Sequence, residues 1–269
     1  MKKIFVIIFV FCFFSEGKIS AQYTKKETFP TLTDLPKTAN ILELDTTTSN
    51  IESVNTEPAN YLSVLKTELQ MEWPKNRTIN LVFHGHSVPS GYFKTPEVNT
   101  LGAYPQLVLQ KIKGIYPYAV VNVIITSIGG ENSETGAKRF DTDVLIHNPD
   151  VVFIDYALND RSIGLERAYK AWNEMIKKTT AKSIKVILLT PSPDAKVDNA
   201  NLENELAKHA EQIRKLAKEN NIGVVDSYKA FDFLYSDKEA LEKYMAQFNH
   251  PNELGHELIA NEIVKWFAK

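Results

Sequence analysis

The chain has 269 residues, of which 24% are charged and 43% hydrophobic, and its formal net charge is −2. So mild a balance, with no long block of one sign, argues against a polyanion ligand, and nucleic acid is not expected as a partner. Cys12 is the only cysteine, which leaves no disulfide and no thiol chemistry to a chain that has lost its first residues.

Residues 1–21 read as a secretory signal peptide. Lys2 and Lys3 precede an apolar run over 4–14, and Lys18-Ile19-Ser20-Ala21 leads into Gln22. The apolar run is shorter than the roughly 20 residues that cross a bilayer. A secreted or periplasmic location follows, with no membrane span in the mature chain. Without Lys2, Lys3, Lys18 and Glu16, the 31 basic and 33 acidic residues become 28 and 32, a net charge near −4. Residues 22–58 form a polar leader rich in threonine, serine and asparagine. It is either a linker or a segment laid over the surface of the main domain, which spans 59–269.

A helix is expected from Tyr61, with Leu62, Val64-Leu65, Leu69 and Met71-Trp73 as its apolar positions and Pro74 as its end. Five short runs dense in valine and isoleucine then follow, at 79–83, 120–126, 151–156, 185–189 and 223–226. Such runs suit strands buried on both faces of a parallel sheet. Between and after them lie helical patterns, clearest at 201–220 and 253–267. The alternation predicts a single α/β domain with functional groups beyond the carboxyl ends of its strands.

Polar stations stand at those ends. After the first run comes Gly85-His86-Ser87, with Gly91 four residues on. The second ends at Ser127-Ile128-Gly129-Gly130-Glu131-Asn132, whose glycines let main-chain N–H groups approach a bound atom. The third ends at Ala157-Leu158-Asn159-Asp160-Arg161, where a side-chain amide can meet negative charge or cap a helix. Near the end of the chain, Asn249-His250-Pro251-Asn252 holds a histidine in extended conformation before the last helix. A glycine-flanked hydroxyl and an imidazole are the minimum for nucleophilic acyl transfer. His84 and His86 flank Gly85, but no third ligand stands at metal spacing, so neither a metal nor another cofactor is expected. His256 reads as structural.

These four blocks, in this order over about residues 75–269, resemble the SGNH hydrolases, or GDSL-type esterases, and secreted bacterial carbohydrate esterases among them. The resemblance implies a flavodoxin-like three-layer α/β/α sandwich with a five-stranded parallel sheet. It implies Ser87 as nucleophile and His250 as base. It implies an oxyanion hole from the Ser87 and Gly129 N–H groups and the Asn159 side chain. Two departures stand out. His86 replaces the family's usual aspartate before the serine, and either bonds within the turn or reaches substrate. Gln247 replaces the aspartate three residues before the histidine. The histidine's other nitrogen is then left to the Gln247 amide oxygen, to a backbone carbonyl, or to a carboxylate such as Glu131, Asp160 or Glu253.

The expected substrate is a short-chain ester, an acetylated saccharide first. Asn132 and Arg161 are candidate contacts, and Tyr92, Phe93 and Trp172 either stack on sugar rings or pack in the core. A lysophospholipase or acyl-thioesterase on the same scaffold, and a non-catalytic glycan-binding relative, are the alternatives.

Overall fold

The computed structural model describes residues 57–269. The signal peptide expected at 1–21, and the leader expected at 22–58 except its last two residues, lie outside the described residues. Pro58 already opens a helical turn, Pro58–Tyr61, and a short helix, Ser63–Leu69, follows. That helix is shorter than the expected 61–73, and Trp73 stands 84% exposed beyond it.

Five strands form one parallel sheet: β1 (Thr78–Gly85), β2 (Val120–Ile125), β3 (Val151–Asp155), β4 (Lys185–Leu189) and β5 (Gly223–Val225). Their order is β2-β1-β3-β4-β5. β3 is buried along its whole length, and β4 everywhere but Lys185. On the inner strands Phe83 and Phe153 stack with ring centroids 4.4 Å apart, each fully buried and each contributing about 2–3 kcal/mol through the apolar area it removes from water. β2 departs from the expectation of burial on both faces. It is one of the two edge strands, with only β1 beside it, and no residue in it is fully buried.

Five helices pack against one another beside the sheet: α1 (Tyr104–Ile115), α2 (Ser133–Lys138), α3 (Leu165–Thr180), α4 (Glu205–Asn220) and α5 (Glu253–Val264). α1 packs on α5, and α2, α3 and α4 pack in succession. Right-handed crossovers place α1 on one face of the sheet and α2, α3 and α4 on the opposite face, and α5, which follows the last strand, packs beside α1. α4 begins later than the expected 201 because Asn204 caps it, its Oδ1 accepting the Ala207 N–H at 2.7 Å. Among the described residues, no helix is long and apolar enough to cross a membrane.

The strand order has one functional consequence. The chain leaves β1 for β2 on one side, then returns across β1 to β3 on the other. Connections therefore diverge above the carboxyl ends of β1 and β3, and a crevice opens there. Ser87 follows β1 directly.

Candidate active site

β1 and β3 approach so closely at their ends that a Cβ on Gly85 would lie 2.4 Å from the Asp155 carbonyl oxygen. Glycine is required there for space. The His86 N–H then donates to that carbonyl at 3.2 Å. Ser87 opens a one-turn helix, Ser87–Ser90, and Gly91 closes it at φ +92, a conformation that strains residues with a side chain.

His86 caps this turn. Its Nδ1 accepts the Val88 N–H at 3.2 Å, so the ring proton sits on Nε2, which lies 3.3 Å from Asp155 Oδ1. The contact is electrostatic without hydrogen-bond alignment, and neither atom has another polar partner. Tyr104 donates its hydroxyl to the other Asp155 oxygen at 3.0 Å. His86 is 1% exposed. Of the two roles open to it, the structure therefore selects the one within the turn and not substrate contact.

His250 comes from a two-stranded antiparallel hairpin, β6 (Met245–Gln247) and β7 (His250–Pro251), that the apolar pattern did not announce. Its Nε2 lies 2.8 Å from Ser87 Oγ. Its Nδ1 meets the Phe93 carbonyl oxygen at 3.0 Å. Phe93 sits on the loop after the serine turn, closed where Asn99 N–H donates to Gly91 O at 2.7 Å. Of the three acceptors left open for that nitrogen, the backbone carbonyl is the one found there, and the Gln247 amide oxygen is turned elsewhere. That oxygen accepts the Thr95 N–H at 3.1 Å, and the amide nitrogen faces Nδ1 at 2.7 Å.

The two neighbours of Nδ1 call for opposite tautomers. The Phe93 carbonyl can only accept, so it favours a proton on Nδ1 and leaves Nε2 free to receive one from Ser87. The Gln247 nitrogen can only donate, so it favours the other form. A carboxylate would accept alone. None of the three carboxylates considered takes that place. Glu131 pairs with Arg139. Asp160 accepts from Ser133 N–H at 2.7 Å and Trp172 Nε1 at 2.6 Å. Glu253 lies in the exposed first turn of α5. Burial lowers the pKa of His250; the Phe93 carbonyl opposes that shift, and nearby His86 adds to it. The ring is thus held neutral at pH values where a free histidine begins to charge.

Gly129 and Asn159 follow the strands on either side of β1. Ile128 N–H donates to Gly85 O at 3.0 Å, which ties the Gly129 turn to the serine turn. One N–H of Asn159 donates to Glu131 O at 2.8 Å. Among the described residues the main-chain N–H groups of Ser87 and Gly129 have no acceptor, and neither has the second amide hydrogen of Asn159.

The remaining expected residues divide. Tyr92 borders the site, its ring centroid 6.2 Å from that of His250 and its edge against Gly129. Trp172 does not border it: it is fully buried on α3, which leaves the core role of the two open to it. Phe93 is also core, stacked on His256 at 4.7 Å. Asn132 caps α2 through the Thr135 N–H at 3.2 Å. Arg161 pairs with buried Asp194 at 2.8 Å. Sequence reasoning missed the Phe93 carbonyl, since a main-chain acceptor leaves no side-chain signature. It also missed Asp155, although a lone carboxylate closing an apolar strand was a signal of it.

A parallel sheet of order 2-1-3-4-5 with a hydroxyl and an imidazole hydrogen-bonded above its switch point defines an α/β enzyme of the hydrolase class. The model of the GDSL-like lipase/acylhydrolase family matches residues 83–258, and the chain belongs to that family and is a carboxylic ester hydrolase. It is 22% identical over 206 residues to an acetylxylan esterase of Geobacillus stearothermophilus, covering 69% of this chain and 92% of that one. The crystal structure of an acetylxylan esterase from the same organism superposes with a TM-score of 0.59 at 21% identity, over 71% of this chain and 94% of that one. A two-domain esterase active on acetylated mannans superposes with a TM-score of 0.62 at 22% identity, over 76% of this chain. The match spans about half of that protein, 51% of its chain.

Proposed function

We propose that the protein is a secreted serine esterase that removes acetyl groups from saccharides, with Ser87 as nucleophile and His250 as base. The observation that carries the reading is the 2.8 Å approach of Ser87 Oγ to His250 Nε2, within the range for a base that must take the hydroxyl proton. Ser87 Oγ attacks the ester carbonyl while Nε2 takes its proton. The C–O bond to the sugar breaks, and the proton returns to the leaving alkoxide. Water, deprotonated by the same imidazole, then attacks the acyl-serine; the acyl bond to Ser87 Oγ breaks, the imidazole returns the proton to that oxygen, and acetate leaves. In both halves negative charge develops on the carbonyl oxygen. The N–H groups of Ser87 and Gly129 and the free amide hydrogen of Asn159 receive it, each donor contributing about 3–4 kcal/mol of barrier reduction. The Phe93 carbonyl takes the orienting place of the usual aspartate, as a dipole and not a full charge.

Three things support a short acyl group on a sugar. The half-buried Tyr92 ring presses on Gly129 beside the reacting atoms. It also offers an aromatic face of the kind that sugars stack on. The similar proteins named above act on acetylated xylan and mannan, and the N-terminal signal pattern supports export to where such polymers lie. Acetate release from acetylated xylan, mannan and pectin tests the reading. Release by wild type but not by Ser87→Ala is expected. Equal release by both proteins overturns it.

A further inference from the structure

We propose that Arg139 is a positioning residue for the oxyanion cradle, acting on Asn159 through Glu131. The inference rests on the proposed roles of Ser87 and Asn159.

An asparagine amide turns freely about its last torsion, so its donor direction must be set by a partner. Here that partner is the Glu131 carbonyl, which takes one amide hydrogen at 2.8 Å and leaves the other free. The carbonyl itself sits on a soft turn. Gly129 and Gly130 precede it, and Gly130 adopts φ +82. Something has to fix Glu131 if its carbonyl is to fix Asn159. Arg139 does so from the C-terminal end of α2. Its Nε lies 3.0 Å from both Glu131 carboxylate oxygens, one terminal nitrogen also contacts that carboxylate, and the other bonds Asp143 at 3.1 Å. Both side chains of the Arg139–Glu131 pair are 16% exposed. A planar fork on a carboxylate holds direction as well as distance.

The pair is in turn built into the core. Tyr156 Oη lies 3.3 Å from Glu131 Oε2 and 3.3 Å from Arg139, and 3.1 Å from His84 Nε2. His84 Nδ1 lies 2.9 Å from Thr126 Oγ1. The ends of β1, β2 and β3 are thereby joined by one polar chain. Tyr156 rests directly on α2, since a Cβ at Gly136 would lie 2.3 Å from its hydroxyl. A cluster that served only to close the core would have no need of a carbonyl directed at Asn159.

A double-mutant cycle on a small acetyl ester tests this. Arg139→Met is expected to lower kcat about tenfold with KM nearly unchanged, a fraction of the 100- to 1,000-fold typical for losing an oxyanion donor outright. In an Asn159→Ala background the same substitution is expected to cost less than about twofold, because nothing remains to be positioned. Arg139→Lys, which keeps the charge but not the fork, is expected to recover only part of the loss. Glu131→Gln carries the same cycle if Arg139→Met does not fold. Equal losses in both backgrounds, or a loss in KM alone, overturn the proposal and leave the cradle standing. An Asn159→Ala enzyme with unchanged kcat overturns the cradle and the proposal together.

Discussion

Restoring the family's usual aspartate at position 86 should damage this protein. In the wild type, His86 faces Asp155 at 3.3 Å with both side chains buried, and the other Asp155 oxygen accepts from the Tyr104 hydroxyl. His86→Asp keeps a good cap for the Val88 N–H but puts a second carboxylate opposite the first. With the shorter side chain the two charges stand about 5 Å apart, and at an effective dielectric of about 20 their repulsion is roughly 3 kcal/mol. At neutral pH the variant should therefore lose about 3 kcal/mol of stability, or keep one carboxyl protonated and regain stability as pH falls. Asp155→Asn in the same chain removes the second charge, leaves an acceptor for Tyr104 and supplies a donor for the introduced carboxylate. Urea unfolding at pH 8 and pH 5 on wild type, the single variant and the pair measures this. The reasoning fails if His86→Asp is within about 0.5 kcal/mol of wild type at pH 8, or if adding Asp155→Asn recovers nothing.

Two further outcomes follow from the histidines. Gln247→Asp gives His250 an acceptor-only, charged neighbour, which favours the protonated ring; the acid limb of kcat/KM should move up by about one pH unit, and an unmoved limb would show that residue 247 does not address Nδ1. Burial holds His84 and His256 at about 3 and His209 at about 4, whereas each titrates near 6.5 once unfolded. The unfolded chain then binds more protons, so stability is complete above pH 6.5 and falls by roughly 1 kcal/mol per pH unit for each ring as pH drops from 6.5 toward those values. A melting temperature unchanged between pH 7 and pH 5 would contradict this.

The strands were legible because apolar runs buried on both faces leave a dense local signature, and all five appear within two residues of their expected bounds. The serine and late-histidine blocks were legible for a related reason: glycine, proline and polar residues crowd the turns where the chain must bend around a reactive group. β6 and β7 were not, since three residues and two residues pair too briefly to make a pattern. Trp172 left both a platform and a core role open, because an indole suits both; full burial, with the Asp160 carboxylate beside its N–H, decided for the core. Asn132, Asn159 and Arg161 carry the same ambiguity between cap, ion pair and substrate contact, and their partners lie on other segments.

From residues alone came the alternation of strand and helix, the family, and the order of the four blocks, since each rests on neighbours in the chain. Which atoms meet was decided by the fold. Ser87 and His250 are 163 positions apart, and the acceptor for the imidazole is a main-chain carbonyl that any residue at 93 would carry. The charge lost at positions 86 and 247 is answered by Asp155 from β3 and by that carbonyl. Hydrogen bonds act over about 3 Å of space, and sequence distance does not measure that space until the sheet has closed.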